Sequence, residues 1–357
     1  MIHKSRVAAG AAALTAMVLL AGCTSTQATS LTGSTSTAKV EPLVLYAAEA
    51  YDANMGKAFT AKTGIPVKVV DDSTGPLLTK IAAEKNNPQW SLFWADGDTA
   101  FSSLDQQGEL LSYKPNAPWN AVGKAIVPSD NSYIPTGTTV MAALIYNSAK
   151  TTSVPTTYDD LATSAYTGKV GMNDPSQSGP TYPFIAGVMN QLGGQSAGVS
   201  DGEAYFTKLK SNGLKVYPTN GDTLHALETG QINYGLIQSS AATGEVVKVK
   251  PTSGYAPKIV YLPKSTLLPS VIGIDKAIDK TQQTEAKQFV DYALSPEGQK
   301  VMQGADLAGD SLFWPIVDNS TALTQLPAFP ADYQRIDPTF WGPLQAQVVT
   351  WFDSNIK

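Results

Sequence analysis

Short apolar stretches alternate with amphipathic stretches over most of the chain from residue 40 onwards. Runs of aliphatic and aromatic residues predict strands at 42–46, 65–70 and 91–95. Apolar positions at helical spacing predict helices, which cover residues 51–63, 76–85, 98–108, 159–165, 182–192, 202–212, 222–230 and 284–294. This alternation is typical of an α/β fold with a mostly parallel sheet, in which ligands bind at the carboxyl ends of the strands.

The turn at residues 71–76 is the first candidate for such a site. Val69 and Val70 end a predicted strand, and Pro76 has the fixed φ that suits the first turn of a helix. Ser73 or Thr74 can cap the backbone N–H groups of that turn. The start of the helix is therefore expected to present free N–H groups and a positive dipole end to a ligand.

Two later stretches repeat this order of residues. Residues 170–182 run from a strand through Asp174, serines, a glycine and a proline into a helix, and residues 234–241 form a shorter, serine-lined variant. Three such turns predict one ligand held between two α/β lobes. The predicted ligand contacts, with two tyrosines and a glutamine as walls, are Tyr46, Ser73, Thr74, Gly75, Asp96, Ser178, Gly179, Thr181, Tyr182, Gln238, Ser239 and Ser240.

Two long apolar runs, at 138–147 and 270–274, interrupt the alternation of strands and helices. They are interpreted as crossover strands between the lobes. The pattern of residues fits ordinary core strands equally well.

The first 22 residues have the pattern of a secretory leader. Lys4 and Arg6 precede an apolar run at 7–20, and small residues follow it immediately before Cys23, the only cysteine. This resembles a bacterial lipobox, whose cysteine is acylated after cleavage. The alternative is a single membrane helix with an incidental cysteine. That alternative is disfavoured because the run is shorter than the roughly 20 residues that span a bilayer.

Residues 23–39 are dominated by Ser, Thr, Gly and Ala, which predicts a flexible tether rather than a folded segment. The folded body is therefore expected on the extracytoplasmic side of the membrane, lipid-anchored through Cys23. The lack of any further cysteine excludes disulfides and cysteine-only metal sites in that body.

The charge balance limits both the partner and the site. The chain has 25 basic and 30 acidic residues, a formal net charge of −5, which argues against a nucleic-acid partner. Arg335 is the only arginine beyond the leader, so an arginine clamp on a carboxylate or phosphate is nearly excluded. Helix N-termini, hydroxyl groups and lysine remain as donors for an anionic ligand.

Five aspartates give a second constraint on the charge of the ligand. Asp71, Asp72, Asp96, Asp98 and Asp174 all lie near predicted strand ends. If two or three of them face the cleft, the ligand carries a positive charge or is zwitterionic, an aminoalkyl phosphonate for example. The alternative is that they cap helices or are solvated.

The chain resembles the extracellular solute-binding proteins of ABC importers, in the branch described as ferric-iron-type. The resemblance covers essentially the whole mature chain and rests on residues 43–48, 59–67, 72–81, 174–182 and 294–300. It implies a two-lobed type II periplasmic-binding-protein clamshell that closes on its ligand about a hinge of crossover strands. Hinge closure of this kind is a population shift driven by contacts made only in the closed form.

The resemblance also implies the organisation of the chain and its partners. Lobe one is expected at 40–137 plus about 265–357, and lobe two, with the hinge strands, at 138–264. The protein is expected to act as a monomer without cofactor or catalysis. It would deliver a small solute to a membrane permease that a separate ATPase powers.

One departure from the branch bears on the ligand. Iron binders of the branch typically carry an adjacent tyrosine pair as ferric ligands, and this chain contains no such pair. The expected ligand is therefore a small polar or oxyanion-bearing solute, such as a phosphonate or phosphate ester, and no metal site is expected. Ferric iron or a ferric chelate is the alternative within the family.

A remote alternative is a membrane-anchored serine hydrolase. Residues 194–198 match the G-x-S-x-G motif around Ser196, and Asp222 and His225 follow in triad order. The context argues against it, because a nucleophile elbow follows a strand and Ser196 follows a predicted helix.

Overall fold

The computed structural model describes residues 41–357 as part of one compact unit. Its strands all belong to one mixed sheet. In chain order they are β1 Leu43–Ala47, β2 Val67–Asp71, β3 Leu92–Asp96, β4 Ile134–Asn147, β5 Val170–Asn173, β6 Lys215–Tyr217, β7 Tyr234–Ile237, β8 Pro257–Ile274 and β9 Tyr333–Gln334.

Helices cover both faces of this sheet region and connect most of its strands. They are α1 Asp52–Thr63, α2 Thr74–Ala83, α3 Asp98–Gln106, α4 Ala121–Ile126, α5 Tyr158–Leu161, α6 Thr181–Ser211, α7 Asn220–Glu228, α8 Ser239–Lys248, α9 Lys280–Ala293, α10 Pro296–Ala305, α11 Pro338–Trp341 and α12 Gln345–Asn355. Two short 3₁₀ turns lie at Ser164–Tyr166 and Gly342–Leu344.

The sheet has the order β2-β1-β3-β8-β4-β7-β5-β6, and β9 pairs with β8 outside this path. Strands β1, β2 and β3 are parallel to one another, as are β5, β6 and β7. The two long strands β4 and β8 join these groups by antiparallel pairing. The predicted mostly parallel sheet is therefore a mixed sheet with two parallel halves.

The crossover interpretation of the two apolar runs is confirmed by this pairing. Strand β8 pairs with β3 in one half, and β4 pairs with β7 in the other. Both strands are longer than predicted, since β4 begins at Ile134 and β8 extends back to Pro257. The part of β8 that was not predicted contains charged and half-exposed residues. A search for continuous apolar runs therefore does not detect it as a strand.

Each half of the sheet has its own hydrophobic core. The first core includes Trp94 and Phe289, and the second includes Phe184 and Phe206. The C-terminal helix α12 packs on the second core through Phe352, although the predicted lobe one included the whole C-terminal third. The lobe boundaries stay a prediction, and this packing favours moving residues 345–356, which include α12, to lobe two.

Two predicted helices differ in their details. The predicted helix at 159–165 is one turn, α5, capped by Thr157 and Asp160, followed by a 3₁₀ turn. The predicted stop after residue 192 corresponds to Gly194, whose φ of 62° and ψ of −150° are non-helical and divide α6 into two helices. A positive φ is easily adopted only by glycine, so the first helix ends there and the chain changes direction before the second begins.

No helix within residues 41–357 combines the length and apolar character that a membrane crossing requires. The predicted leader, Cys23 and the tether lie outside the described residues.

Phe352→Ala is expected to lower the free energy of unfolding by about 3–5 kcal/mol, because it leaves a cavity in the second core. The Phe352 ring is fully buried and meets the Phe206 ring edge-on, with centroids 5.8 Å apart. Urea denaturation followed by circular dichroism measures the change. The control Leu192→Ala removes a side chain that is 40% exposed and should shift stability by less than about 0.5 kcal/mol. Equal effects of the two variants would contradict the assignment of α12 to this core.

Candidate functional site

Strand-to-helix turns from both halves of the sheet meet around a cavity of about 490 Å³. The turns after β1, β2 and β3 contribute from the first half, and those after β5, β6 and β7 from the second. Asp310, from the loop after α10, completes the lining. The cavity lies at the carboxyl ends of the strands, where α/β sheets bind their ligands.

Three helix N-termini supply hydrogen-bond donors to this cavity. The starts of α2 and α7 line it through Thr74 and residues 219–221, and Gly179, two residues before α6, lines it as well. The backbone N–H groups of Thr74, Gly179, Asn220 and Gly221 have no acceptor within residues 41–357. Free N–H groups at a helix start carry partial positive charge, so this part of the cavity suits an anionic group.

Asn173 holds two of these helix starts in register. Its side-chain amide donates to Asn220 Oδ1 at 2.6 Å and to Ser178 Oγ at 3.3 Å, while its carbonyl oxygen accepts from Thr223 Oγ1 at 2.7 Å. Thr219 and Asp222 form a capping box at the start of α7, which occupies the Thr219 hydroxyl. The turns after β5 and β6 therefore form one connected wall.

Carboxylates occupy another part of the cavity. Ser270 Oγ donates to Glu49 Oε1 at 2.7 Å, and Gln238 Nε2 donates to Asp96 Oδ2 at 2.7 Å. Asp310 Oδ2 accepts from the backbone N–H of Ala50 at 2.9 Å. Among residues 41–357, no lysine, arginine or histidine lines the cavity.

The pKa values of these carboxyl groups are all raised, first of all by burial. Burial, and then the neighbouring Asp96 and Asp310, raise the pKa of Glu49 well above its usual range. Burial and Asp310 likewise raise the pKa of Asp96, although the Gln238 hydrogen bond opposes the shift. Burial raises the pKa of Asp310 to about 6. Each shift reflects charge that the surrounding protein does not neutralise.

Half of the predicted contacts line the cavity. The turns that contribute them follow β2, β3, β5 and β7, and the residues are Ser73, Thr74, Asp96, Ser178, Gly179 and Gln238. Ser73 precedes α2 but its side chain makes no capping bond, so the hydroxyl is available to a ligand. The exposed Asp71 and Asp72 also line the cavity, whereas Asp98 and Asp174 do not.

The prediction that Tyr46 and Tyr182 form walls of the site is wrong. Tyr46 OH donates to Glu84 Oε2 at 2.9 Å, on the side of the sheet covered by α2. Tyr182 is buried in the second core, where its hydroxyl donates to the backbone carbonyl of Trp341. Both rings act in packing.

Four further predicted contacts lie away from the cavity. Ser239 Oγ accepts from the backbone N–H of Val140 at 3.1 Å and so fixes α8 to the crossover strand β4. The hydroxyls of Thr181 and Ser240 are buried and have no partner among the described residues. Gly75 packs against the backbone of Ser176 and lines a separate, more apolar groove beside α2.

Sequence reasoning missed Glu49, Asp310 and residues 219–221. Glu49 follows β1, and the same strand-end criterion that selected Asp96 would have selected it. The capping-box spacing of Thr219 and Asp222 marked the start of α7 as another possible anion site. Asp310 lies in an irregular loop without a local signal.

The serine-hydrolase alternative is not supported by the surroundings of its residues. Ser196 lies inside α6, where its hydroxyl donates to the Gly193 carbonyl at 3.3 Å. His225 is largely exposed, and its nearest carboxylate is Glu228 on the same helix at 3.9 Å. Within residues 41–357, no three His, Cys, Asp or Glu side chains are arranged to hold a metal ion.

The class of protein follows from comparison with known families. A model of the bacterial extracellular solute-binding protein family matches residues 54–333, and the chain belongs to that family. One relative is a periplasmic protein of Salmonella paratyphi A (strain ATCC 9150 / SARB42), whose name provisionally gives 2-aminoethylphosphonate as its ligand. It is 22% identical over 243 residues, which are 68% of each chain.

Solved structures confirm the predicted type II periplasmic-binding-protein fold. The periplasmic binding protein AfuA from Actinobacillus pleuropneumoniae, with exogenous fructose-6-phosphate bound, matches with a TM-score of 0.73 and 20% identity over 88% of this chain and 98% of that one. Iron-bound HitA from Pseudomonas aeruginosa matches with a TM-score of 0.71 and 22% identity over the same shares. At these identities the likeness shows the fold and leaves the ligand open.

Gly179→Ala is expected to hold the two halves of the site apart. An added methyl group would overlap the Thr74 side chain across the cavity rim, at a cost of about 1–3 kcal/mol. Small-angle X-ray scattering should therefore give a larger radius of gyration than for the parent protein. Gly304→Ala, at a helical position with open space around it, is the control and should leave the radius unchanged. An unchanged radius for Gly179→Ala would show that this contact does not limit closure.

Proposed function

We propose that the protein is the substrate-binding component of an ABC importer that captures a small organic phosphonate or phosphate ester. The observation that carries the proposal is the set of free backbone N–H groups at the starts of α2 and α7 and just before α6, on residues that line one cavity. Oxyanions bind at helix N-termini because the donors and the dipole are already oriented. The ligand would then be delivered to a membrane permease and its ATPase.

The comparisons support this ligand class. The Salmonella relative is named for a phosphonate, and the AfuA structure contains a sugar phosphate. Iron is the second candidate, because HitA matches the fold with iron bound. The hydroxyls of Tyr46 and Tyr182 are engaged elsewhere, which favours the oxyanion over direct ferric ligation.

A thermal-shift screen of the purified mature protein tests the proposal. Phosphonates and phosphate esters at about 100 times Kd should stabilise the folded state by about 2.7 kcal/mol through mass action and raise Tm. Ferric citrate and polyamines complete the panel. A rise in Tm with ferric citrate alone would overturn the proposed ligand class in favour of iron.

Ser73→Ala should weaken binding of the phosphonate or phosphate ester roughly tenfold without lowering Tm of the empty protein. Ser73 lines the cavity and its hydroxyl makes no capping bond to α2, and a hydrogen bond to a charged group contributes about 1.5–3 kcal/mol. Isothermal titration calorimetry gives Kd. Ser196→Ala, on α6 and outside the cavity, is the control and should bind as the parent does. Normal binding by Ser73→Ala would remove this hydroxyl from the site.

The proposed location is the outer face of the membrane, with a lipid anchor at Cys23 and the body as a monomer. Cys23→Ser should shift the protein from the membrane fraction to the soluble fraction, since acylation needs the thiol. Fractionation and intact-mass measurement of the purified protein check this. Unchanged membrane association of the variant, without an acyl mass in the parent, would favour an uncleaved membrane helix.

A further inference from the structure

Three carboxylates of the cavity are only half satisfied by the protein. Glu49, Asp96 and Asp310 each accept a side-chain or backbone hydrogen bond on one oxygen. Within residues 41–357, Glu49 Oε2, Asp96 Oδ1 and Asp310 Oδ1 receive none, and no ion pair includes these residues. Glu49 is 2% exposed and Asp96 is 8% exposed, and both line the cavity.

Such an arrangement is costly unless something else supplies positive charge. Burying an unpaired carboxylate disfavours its ionised form, which accounts for the raised pKa values of Glu49 and Asp96. The protein nevertheless positions both groups firmly. Ser270, which holds Glu49, accepts hydrogen bonds from Trp94 Nε1 at 2.9 Å and from Tyr51 OH at 3.0 Å, because its own proton goes to Glu49.

We propose that Glu49, Asp96 and Asp310 form an ammonium subsite, and that the solute is a zwitterion that joins an ammonium group to its phosphonate or phosphate-ester group. This inference rests on the proposed function and extends it to the second end of the ligand. An ammonium group offers three donors and matches three carboxylate oxygens with charge-assisted hydrogen bonds. Within residues 41–357, no group of three or more His, Cys, Asp or Glu side chains is arranged to hold a metal ion, so an organic cation suits these carboxylates better than a metal.

Titration calorimetry with matched probes tests the subsite. The probes are 2-aminoethylphosphonate, ethylphosphonate, which lacks the ammonium, and ethanolamine, which lacks the oxyanion. The parent protein should bind 2-aminoethylphosphonate roughly tenfold or more tightly than ethylphosphonate. Asp96→Asn and Glu49→Gln should each bring this ratio towards one, while the Kd for ethylphosphonate stays within about threefold.

Asp332→Asn is the matched control, because Asp332 is an exposed carboxylate that does not line the cavity, and the change should leave the ratio intact. Circular dichroism verifies folding, and Asp310→Asn replaces any variant that does not fold. Equal binding of both phosphonates by the parent, or an unchanged ratio in the folded variants, overturns the ammonium subsite and leaves the proposed function standing. If the protein binds ethanolamine but neither phosphonate, both the proposed function and the zwitterionic ligand are overturned. If it binds none of the three probes, both proposals are likewise overturned.

Discussion

The antiparallel pairing of β4 with β8 is the constraint on which the rest of the structure depends. These two strands run through both halves of the sheet, so neither parallel half is complete without them. The same pairing builds the site. Ser270, opposite Asp96 in the β3–β8 register, hydrogen-bonds Glu49 and accepts from Trp94 in the first core. Packing of the sheet and placement of a cavity carboxylate therefore depend on the same residue.

The polarity of the cavity follows from a composition almost without arginine. Arg335, the only arginine of the described chain, donates to the Ala125 carbonyl and does not line the cavity. Donors are consequently backbone N–H groups and hydroxyls, and the charged groups are all acidic. In such a site the hydrogen-bond donors and the carboxylate acceptors lie on different turns. This arrangement can orient a ligand as well as bind it.

The sequence predicted those parts of the fold and site that depend on local signals. Strand ends followed by polar turns located Ser73, Asp96 and Ser178 near the cavity, because strand-to-helix turns of parallel strands share one edge. Tyr46 was misplaced because β1 is buried on both faces, so alternation does not show which way a side chain points.

Other features depend on contacts between distant parts of the chain. Asp310 reaches the cavity through a hydrogen bond to Ala50, 260 residues earlier. The packing of α12 on Phe206 likewise joins segments that no local pattern relates. The two-sided burial of the crossover strands made them visible as apolar runs, yet their full length depended on pairing partners elsewhere in the sheet.

The helix starts that we propose as oxyanion donors have a consequence for the environment in which the protein works. Backbone N–H groups do not gain or lose protons, so their attraction for an anion stays constant where lysine, histidine or a carboxylate would titrate. Solute-binding proteins of this family face the outside of the cell, whose acidity the cell does not buffer. The anion affinity of these backbone N–H groups is therefore independent of the pH of the medium. Any pH dependence of solute binding must come from the carboxylates or from the solute itself.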